Sequence, residues 1–250
     1  MRLAFVIPAY NEEVLIGHCL EAVLREIKRA GCEAEVVVVN NASTDDTKAV
    51  AMAFPGVKVV DEPSKGIVHA RHRGLQVTTA ELVANIDADT IMPAGWIDTV
   101  FNEFSRDAHL VALSGPVIYY DLPWWQRFLV QCAYVAAYPF YLFIHDVTKA
   151  GSMVQGGNFV FRRSAWEAAG GYDRSIRFYG EDTDVGRRLR RLGRVKWTFA
   201  LPMPASGRRV SSEGMLATGG RYLLNYLCVI LRGKPFSRTY TDVRPSAPQS

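Results

Sequence analysis

Two aspartates separated by one alanine follow an apolar stretch in the first half of the chain. Asp87 and Asp89 come directly after the residues LVANI (82–86). Carboxylates this close repel each other, and each raises the pKa of the other. A bound divalent cation removes that cost, because hard cations prefer oxygen ligands. The pair is therefore a candidate for binding a cation with a phosphorylated ligand. The alternative is a solvated turn in which both acids cap the residues that follow.

A second acidic group lies at the predicted start of a helix. Glu181, Asp182 and Asp184 occur in GEDTDVGRRLRRLG (180–193), a pattern that predicts a basic amphipathic helix ending at Gly193. The helix dipole favours negative charge at a helix N-terminus. Dipole compensation is therefore sufficient to explain these residues, and Asp184 is expected to point outward or to cap the helix.

The first half of the chain alternates between predicted strands and predicted helices. Strands are expected over 3–7, 35–39, 57–60 and 82–86, and helices over 12–30, about 43–54 (capped by Ser43 or Thr44) and 67–78. This alternation predicts a mostly parallel sheet flanked by helices on both faces. Ligands bind such sheets at the carboxyl ends of the strands. Three polar turns are therefore expected to meet at one rim: 8–13, 40–47 and 87–90.

The second half of the chain is less regular. Its pattern predicts helices over 94–105, 164–171 and 180–193, and strands over 110–118, 156–163 and 195–200. Between them lies a strongly apolar segment, 124–145. No glycine-rich phosphate loop of the dinucleotide-binding type follows any predicted strand.

Composition argues against several classes of protein. The formal charge of +4 on 250 residues is too small to indicate a nucleic-acid partner. The four cysteines form no CxxC pair, which argues against a zinc site and a disulfide framework and predicts a reducing compartment. The apolar run within residues 1–13 is too short for a signal peptide, so we expect a cytoplasmic protein.

Six segments in order resemble the inverting glycosyltransferases of family 2, which have the GT-A fold. The resemblance covers about residues 3–200, and its segments are VIPAYNEE (6–13), VVVNNASTDDT (37–47), KGIVHARHRG (65–74), DAD (87–89), GGNFVFRRSAWEAAGGYD (156–173) and GEDTDVGRRLRRLG (180–193). It implies an α/β enzyme that moves a sugar from a nucleotide-diphosphate sugar to an acceptor hydroxyl, with Mg²⁺ or Mn²⁺ as cofactor. The acceptor would be a glycan of the cell envelope or a lipid-linked molecule.

The same resemblance implies a division into domains. A GT-A domain is expected over 1–204, with a nucleotide-binding half over 1–90 and an acceptor half over 91–204. A basic and apolar extension is expected over 205–234. The polar, Pro- and Ser-rich composition of 235–250 predicts a disordered tail.

The resemblance assigns the chemistry to three acids. Asp87 would bind ribose or sugar hydroxyls, and Asp89 would bind the metal. Asp182 would be the general base, which takes the proton of the acceptor hydroxyl as it attacks the anomeric carbon from the face opposite the diphosphate. Glu181 and Asp184 are the alternatives for this role. No protein acid is required, because the metal stabilises the leaving group.

The resemblance also implies a nucleoside-binding surface. Tyr10 would stack on the base, Glu12 would accept a hydrogen bond from ribose, and Asn41 would accept one from the imide N–H of uracil. The family usually has acids at positions 40 and 41, so guanine and thymine are alternatives to uracil. Asparagines also suit a turn, and Asn11 could instead cap a helix whose first turn contains Glu12 and Glu13.

Basic side chains are the expected partners of the diphosphate. Arg71 matches the arginine of the family's ARN segment, where His72 replaces the asparagine, and Lys65 lies in the same stretch. Arg208 or Arg209 would close over the diphosphate, because guanidinium groups match phosphate oxygens. The alternative for each is a solvated basic surface. The predicted donor site is completed by Pro8, Ala9 and Ala88.

Two apolar segments are too short or too weakly apolar to make convincing membrane spans. They are 124–145 and 222–231, the second flanked by Arg221, Arg232 and Lys234. A span needs roughly 20 apolar residues, and a single span would separate DAD from GED. Aromatic residues in the first segment, among them Tyr134, Tyr138 and Tyr141, suit an interface. We therefore expect peripheral contact with the inner face of the cell membrane, with packing on the catalytic core as the alternative.

Two other functions are alternatives at this point. A haloacid-dehalogenase-like phosphatase also places DxD after an apolar strand, although usually the first strand, and here PAYNEE (8–13) follows the first strand. A non-catalytic nucleotide-sugar-binding protein would explain Asn40 and Asn41. Turnover of a nucleotide-sugar or of a phosphomonoester, or binding without turnover, would distinguish the three.

Overall fold

Parallel strands form the N-terminal half of the central sheet. The computed structural model describes residues 1–144, 152–176, 178–237 and 239–244. The apolar runs of the first half are β1 (Leu3–Ala9), β2 (Ala34–Asn40), β3 (Val57–Asp61) and β4 (Leu82–Ile86). Neighbouring strands among these are parallel, and every residue of β4 is buried, as expected for a sheet with helices on both faces. The predicted mostly parallel α/β sheet is confirmed.

An antiparallel strand joins the two halves of this sheet. The remaining strands are β5 (Leu110–Ser114), β6 (Val117–Tyr119), β7 (Asn158–Arg162), β8 (Arg194–Trp197) and β9 (Met203–Ala205). Within the described ranges, the strand order of the main sheet is β3-β2-β1-β4-β7-β5-β8. β7 is antiparallel to β4 and β5, and Ile86 at the end of β4 pairs with Asn158 at the start of β7. The two glycines before β7 therefore lie beside the aspartates that follow β4.

One predicted strand is two strands in the structure. The sequence predicted a continuous strand over 110–118, but β5 and β6 belong to different sheets, and β6 pairs with β9. Pro116 cannot donate to a strand ladder, and a side chain at Gly115 would collide with the backbone of Leu201. The chain therefore leaves the main sheet at this point, and the β6–β9 pair forms an additional layer beside the end of β4.

Helices cover both faces of the main sheet. One core contains the apolar sides of α1 (Ile16–Ala30), α2 (Thr47–Met52) and α4 (Trp96–Arg106). The other contains those of α3 (Ile67–Gln76), α6 (Arg163–Ala168) and α7 (Glu181–Leu189). Phe5 and Ile7 of β1 enter the first core, and Val6 between them enters the second. This two-sided burial fixes the strand register, and with it the position of the loops at the strand ends.

The loops after β1 and β2 are hydrogen-bonded to each other. Asn11, which has a φ of 49°, accepts from the Thr44 N–H at 2.9 Å through its side chain and donates its own N–H to Ser43 Oγ at 3.2 Å. Thr47 Oγ1 accepts from the N–H of Glu12 at 2.7 Å. Two predictions of helix starts were wrong for this reason: Asn11 does not cap α1, and neither Ser43 nor Thr44 caps α2.

The remaining helices lie in the second half of the chain: α5 (Trp124–Leu142), α8 (Arg208–Glu213) and α9 (Met215–Arg232). α9 packs against α7 and α8. α5 packs against Trp197 through three tyrosines that the interface hypothesis had placed toward a membrane: Tyr134, Tyr138 and Tyr141. No helix of the described segments is long and apolar enough to cross a membrane.

The domain limits drawn from the sequence, at residues 90, 204 and 234, stay predictions. Part of the predicted disordered tail is described and contacts the rest of the chain. The N–H of Ser237 donates to Asn225 Oδ1 at 2.8 Å, and Asp242 accepts from Lys65 at 3.2 Å. The end of the predicted segment 124–145, at His145, and the last six residues of the tail lie outside the described residues.

Candidate active site

The loops that follow β1, β2 and β4 meet at one cleft, as the position of strand ends in a parallel sheet predicts. The predicted donor-site residues that line this cleft are Pro8, Ala9, Tyr10, Glu12, Asn41, Lys65, Asp87, Ala88, Asp89, Arg208 and Arg209. Two predicted site residues, Arg71 and Asp182, are not among the lining residues and lie next to them. Segments far apart in the chain therefore contribute to a single site.

Arginines and carboxylates alternate along one side of the cleft. Nη2 of Arg208 lies 2.8 Å from both carboxylate oxygens of Glu12 and 3.0 Å from Oδ2 of Asp89. Nε of Arg244 lies 3.0 Å from Oε1 of the same Glu12. We call these four residues the rim network. The Glu12 side chain is only 3% exposed, so its charge depends on the two arginines.

The surroundings of Asp89 favour a cation. Burial and the negative charges of Asp87 and Glu12 raise the pKa of Asp89 to about 7, against the opposing effect of Arg208. Within the described residues, no group of three or more His, Cys, Asp or Glu side chains could hold a metal ion alone. Mg²⁺, however, is commonly held by one or two carboxylates together with substrate phosphates. The Asp87–Asp89 pair fits a cation that binds together with a diphosphate.

A second charged group lies beneath the cleft. Arg71, which is 1% exposed, donates to Oε1 of Glu181, to Oδ1 of Asp87 at 3.1 Å and to the carbonyl oxygen of Gly156 at 2.7 Å. We call these four residues the floor network. The sequence placed Arg71 beside the nucleotide, but here it reaches the cleft through Asp87, whose side chain is 41% exposed. Arg71 therefore positions Asp87 from below.

Two glycines before β7 make room for the floor network. A side chain on Gly157 would collide with the carboxylate of Asp87, and a Cβ on Gly156 would come within 2.8 Å of Glu181 Oε1. These close contacts arise because β7 runs antiparallel to β4. The glycines were visible in the sequence as part of the GGNFVFRR segment, but the antiparallel register is what gives them a function.

Two of the three acids at the start of α7 are bound to arginines. Glu181 binds Arg71, and burial, partly offset by Arg71, raises the pKa of Glu181 to about 7. Asp184 accepts from Arg187 at 3.0 Å and from Arg188 at 2.8 Å. Asp184 is buried, so the expectation that it points outward or caps the helix was wrong. Neither acid is placed to accept a proton from a ligand.

Asp182 is held by backbone groups instead of by an arginine. It accepts from the N–H of Thr183 at 2.7 Å and from the N–H of Gly156 at 3.2 Å, and burial raises its pKa. Gly157, the residue after Gly156, lines the cleft, so Asp182 lies beside the cleft.

Asn41 fixes the loop that follows β3. Its Nδ2 donates to the carbonyl oxygens of Glu62 at 3.0 Å and Ser64 at 2.8 Å, and its Oδ1 accepts from the N–H of Gly66 at 2.8 Å. An amide oxygen can accept two hydrogen bonds, so Oδ1 keeps one position for a ligand. The neighbouring Asn40 donates to Asp61 on β3 at 2.9 Å.

Cations lie over the ring of Tyr10. Nζ of Lys65 is 3.7 Å from the ring centroid, and the guanidinium carbon of Arg244 is 5.5 Å from it. The negative face of an aromatic ring attracts such cations. Lys65 also donates to Asp242, so the tail reaches the same part of the cleft. The stacking of Tyr10 on a base stays a prediction.

Sequence reasoning missed an aromatic side of the cleft. Tyr119, Phe178, Tyr222 and Tyr240 line it, and the rings of Phe178 and Tyr240 stack with their centroids 4.5 Å apart. The guanidinium of Arg209 lies 4.7 Å from the centroid of Phe178. These residues come from β6, the segment before α7, α9 and the tail, so no spacing in the sequence could have grouped them.

Comparison with known proteins gives a family and relatives. A family model described as Glycosyl transferase family 2 matches residues 4–170. An uncharacterized glycosyltransferase of Mycobacterium tuberculosis is 42% identical over 123 residues, 49% of this chain and 53% of that protein. A 4,4'-diaponeurosporenoate glycosyltransferase of Staphylococcus aureus is 32% identical over 118 residues, 45% of this chain and 30% of that protein. The chain thus spans about half the length, or less, of these curated relatives.

Solved structures with a similar fold cover most of the chain. The mannosyltransferase PcManGT of Pyrobaculum calidifontis, in complex with GDP-Man and Mn²⁺, has a TM-score of 0.66 at 21% identity and covers 91% of this chain and 62% of its own. Glucosyl-3-phosphoglycerate synthase of M. tuberculosis, with Mn²⁺, UDP-glucose and phosphoglyceric acid, has a TM-score of 0.59 at 19% identity. The match covers 94% of this chain and 81% of that protein's chain. S. aureus TarS has a TM-score of 0.64 at 15% identity, and the match covers 93% of this chain and 73% of the TarS chain. The GT-A fold implied by the sequence is confirmed.

Proposed function

The chain belongs to glycosyl transferase family 2, and we propose that it is an inverting, cation-dependent glycosyltransferase that moves a sugar from a nucleotide-diphosphate sugar to an acceptor hydroxyl. The observation that carries this proposal is one cleft at the carboxyl ends of β1, β2 and β4 that is lined by Asp87 and Asp89 and bordered by Asp182. Its acids and arginines provide separate groups for a cation, a diphosphate and a proton.

Asp89, with Asp87 beside it, would hold the cation, Mg²⁺ or Mn²⁺. The raised pKa of Asp89 supports this assignment, because a cation relieves the repulsion that raises it. Two structurally similar proteins were crystallised with Mn²⁺ and a nucleotide-sugar. When bound, the cation would offset the negative charge that develops on the leaving diphosphate. Arg208 would add charge-assisted hydrogen bonds to the phosphate oxygens.

The nucleoside would bind between the loops after β1 and β2. Tyr10 would stack on the base, Glu12 would accept from a ribose hydroxyl, and Oδ1 of Asn41 would accept from a base N–H. Uracil is the first candidate because its imide N–H needs one acceptor, which Asn41 can supply. Guanine and thymine are the alternatives, and the similar structures include complexes with UDP-sugars and with GDP-Man.

Asp182 would be the general base that gives inversion. This role is supported because the two neighbouring acids already have arginine partners. Glu181 is bound to Arg71, and Asp184 is bound to Arg187 and Arg188. A raised pKa makes a carboxylate a better proton acceptor near neutral pH. The proton would pass from the acceptor hydroxyl to Asp182 as the oxygen attacks the anomeric carbon from the side opposite the diphosphate.

No feature of the cleft, as far as the structure describes it, favours either alternative function, the phosphatase or the non-catalytic nucleotide-sugar-binding protein. The phosphatase alternative was wrong, because the chain belongs to a glycosyltransferase family and its DxD follows β4. The non-catalytic alternative rested on Asn40 and Asn41. Neither asparagine replaces an acid that the proposed reaction uses, because that reaction uses Asp87, Asp89 and Asp182.

The central experiment measures donor binding and donor cleavage together. UDP-, GDP- and dTDP-sugars would be screened by calorimetry with Mn²⁺, and release of free sugar, with water as the acceptor, would report cleavage. Asp182→Asn should keep donor binding while cleavage falls by about 100-fold or more, the usual contribution of general base catalysis. NMR of a transfer product would give the anomeric configuration.

Three results would contradict parts of this proposal. If no nucleotide-sugar binds, the donor class is wrong. If cleavage by Asp182→Asn stays within a few-fold of wild type, the base is another residue, and Glu181→Gln is the next variant. If the product retains the anomeric configuration of the donor, the mechanism is not inverting.

The acceptor is proposed to be lipid-linked, with peripheral docking of the protein on the inner face of the cell membrane. α5 and α9 each have an exposed apolar side: Trp124, Trp125, Phe128, Val135 and Phe140 on α5, and Leu216, Leu223, Leu224 and Leu231 on α9. A polysaccharide acceptor in solution is the alternative.

Vesicle flotation tests this docking. Arg221 is bound to Glu213 at 2.8 Å, so the basic flank available to a membrane is Arg232 and Lys234. Each basic residue near an anionic surface contributes about 1 kcal/mol. Replacing both with Gln should therefore weaken binding to anionic vesicles and its salt dependence, whereas Gln at Arg25 and Lys28 of α1 should not. A wild-type protein that does not float with anionic vesicles at low salt would contradict the docking proposal.

A further inference from the structure

Residues 239–244, the last described segment of the C-terminal tail, lie against the cleft at several points. Three of its residues line the cleft with the strand-end loops: Tyr240, Val243 and Arg244. Tyr240 stacks on Phe178, and Asp242 accepts from Lys65 at 3.2 Å. This position is unexpected, since the composition of the tail predicts disorder. We call residues 239–244 the C-terminal strap.

The strap is anchored to both sides of the cleft. On the aromatic side, Arg209 donates to the carbonyl oxygen of Thr241 at 3.1 Å. On the nucleoside side, Nε of Arg244 donates to Glu12 at 3.0 Å, and its guanidinium lies near the ring of Tyr10. A segment fixed at both sides forms a wall of the site. It does not fill the site, because the cleft remains open between the strap and Asp87 and Asp89.

Glu12 binds two arginines, although the positive charge of one arginine is enough to neutralise its carboxylate. Arg208 takes both of its oxygens, and Arg244 binds one of the same oxygens. Burial and the charge of Arg208 act to lower the pKa of Arg244, but Glu12 and Asp242 outweigh them, so the pKa is raised and the guanidinium stays positive. Within the described segments, Nη2 of Arg244 has no acceptor, whereas Nε and Nη1 have Glu12 and Asp242. Arg244 therefore keeps donor capacity for an anion that enters the cleft.

We infer that Arg244 is a further donor-binding residue, which binds the phosphates of the nucleotide-sugar, and that the C-terminal strap forms a wall of the donor site. This inference rests on the proposed function. A guanidinium offers paired N–H donors that match phosphate oxygens. Arg208 and Arg244 share Glu12, and the phosphate oxygens of an incoming diphosphate would give acceptors to N–H groups such as Nη2 of Arg244.

The test separates a phosphate contact from a nucleoside contact. Binding of UDP, GDP and dTDP to the full chain would be measured by calorimetry, and the tightest of them would be compared with its nucleoside. Arg244→Gln should weaken binding of the nucleoside diphosphate about tenfold, the effect of one charge-assisted hydrogen bond. It should leave binding of the nucleoside within about twofold. Arg194→Gln, which removes the same charge from β8, is the control and should change neither.

Removal of residues 239–250 and limited proteolysis complete the test. The truncated protein should bind the diphosphate at least as weakly as Arg244→Gln, and bound diphosphate should slow chymotrypsin cleavage after Tyr240. Tighter binding by the truncated protein, or faster cleavage with ligand, would overturn the inference, because the strap would then compete with the nucleotide. Unchanged binding by Arg244→Gln would overturn it as well. If the wild-type protein binds none of the three nucleotides, the proposed function fails first.

Discussion

The floor network and the rim network use the same acid–arginine chemistry in different surroundings. In the floor network, Arg71 and Glu181 are 1% and 8% exposed. In the rim network, Arg208 and Arg244 are each 25% exposed and line the cleft. A buried pair that loses one member leaves an uncompensated charge. In the rim network Glu12 is 3% exposed but has two arginines, so it keeps a partner when a ligand engages one of them, and water reaches both arginines. The floor network should therefore hold the fold, and the rim network should respond to a ligand.

The difference explains how two aspartates one residue apart can have different roles. Asp87 is held from below by Arg71, which also binds Glu181 and the carbonyl of Gly156. Asp89 is held by Arg208, a residue of the cleft. A ligand can replace the partner of Asp89 without breaking the buried network. The following substitutions test this division of roles.

The largest effect is expected where the floor network loses its cation. Arg71→Gln leaves Glu181 buried without its partner, and removal of one member of a buried pair costs about 3–5 kcal/mol. For a chain of this size each kcal/mol lowers Tm by about 2–4 °C, so thermal denaturation followed by circular dichroism will show the loss. Arg73→Gln on the same helix is the matched control.

The double variant Arg71→Gln with Glu181→Gln sharpens this prediction. Because it removes both charges, it should recover part of the lost stability. If Arg71→Gln keeps its stability and loses only nucleotide binding, Arg71 contacts the nucleotide directly, as the family resemblance implied, and the floor network is not structural.

Asp89→Asn should have the next largest effect, and this effect should be a loss of activity and not a loss of stability. The variant loses the carboxylate proposed to bind the cation, and loss of one group that stabilises transition-state charge costs about 100-fold in kcat or more. Cleavage of the donor with saturating Mn²⁺ measures this. Asp61→Asn, at the end of β3 and bound to Lys48, is the control and should keep wild-type activity. Full activity of Asp89→Asn in the presence of a chelator would exclude the proposed cation site.

The division between the two networks also marks what the sequence could predict. Tyr10, Asn41, Asp87 and Asp89 follow strands, so the pattern of strands and helices places them near one rim. Two-sided burial of β1 and β4 also leaves little freedom to the loops at their ends. The fold and these residues were therefore predictable from local signals, whereas Asp182 was predicted only from the family resemblance.

The partners of those acids were not predictable. Glu12 and Arg208 are 196 residues apart. Arg208 begins the helix after β9, and β9 pairs with β6, the part of the predicted strand over 110–118 that lies beyond Gly115 and Pro116. The family resemblance assigned Arg71 to the nucleotide site. Its burial was not foreseen, because it depends on the glycines that precede an antiparallel strand. Arg244 lay in a tail whose composition predicted disorder. Long-range ion pairs leave no periodic signal in a sequence.

A pH dependence of stability is expected from Glu181 in the floor network. Its pKa is raised from 4.5 to about 7, mainly by burial. The folded protein then holds a proton that the unfolded chain releases between these pH values, so stability falls as the pH rises from 4.5 to 7. The free energy of unfolding of wild type relative to Glu181→Gln should therefore decrease by on the order of 2–3 kcal/mol over this range.

Urea denaturation at several pH values measures this difference. Glu167→Gln, at a more exposed position paired with Arg163, is the control and should show no such trend. A difference between wild type and Glu181→Gln that is constant with pH would mean that the ion pair with Arg71 keeps Glu181 charged throughout. The floor network would still be structural, but it would not be sensitive to pH.

The smallest effect should come from the same conservative substitution made in each network. Arg208→Lys keeps the positive charge and loses the guanidinium that reaches Glu12 and Asp89 together. Donor binding should weaken about fivefold, because an ammonium group cannot match phosphate oxygens in pairs. Stability should stay within about 0.5 kcal/mol of wild type, since Arg244 still neutralises Glu12.

Arg71→Lys is the matched variant in the floor network. Its three acceptors belong to separate segments and are fixed by packing, so a lysine should leave at least one buried acceptor without a donor and lower stability by about 1–3 kcal/mol. Calorimetry with the nucleoside diphosphate and urea denaturation of both variants give the two readouts. If Arg208→Lys is destabilised as much as Arg71→Lys, the rim network is also structural. In that case, Arg208 and Arg244 do not release Glu12 and Asp89 to bind a ligand.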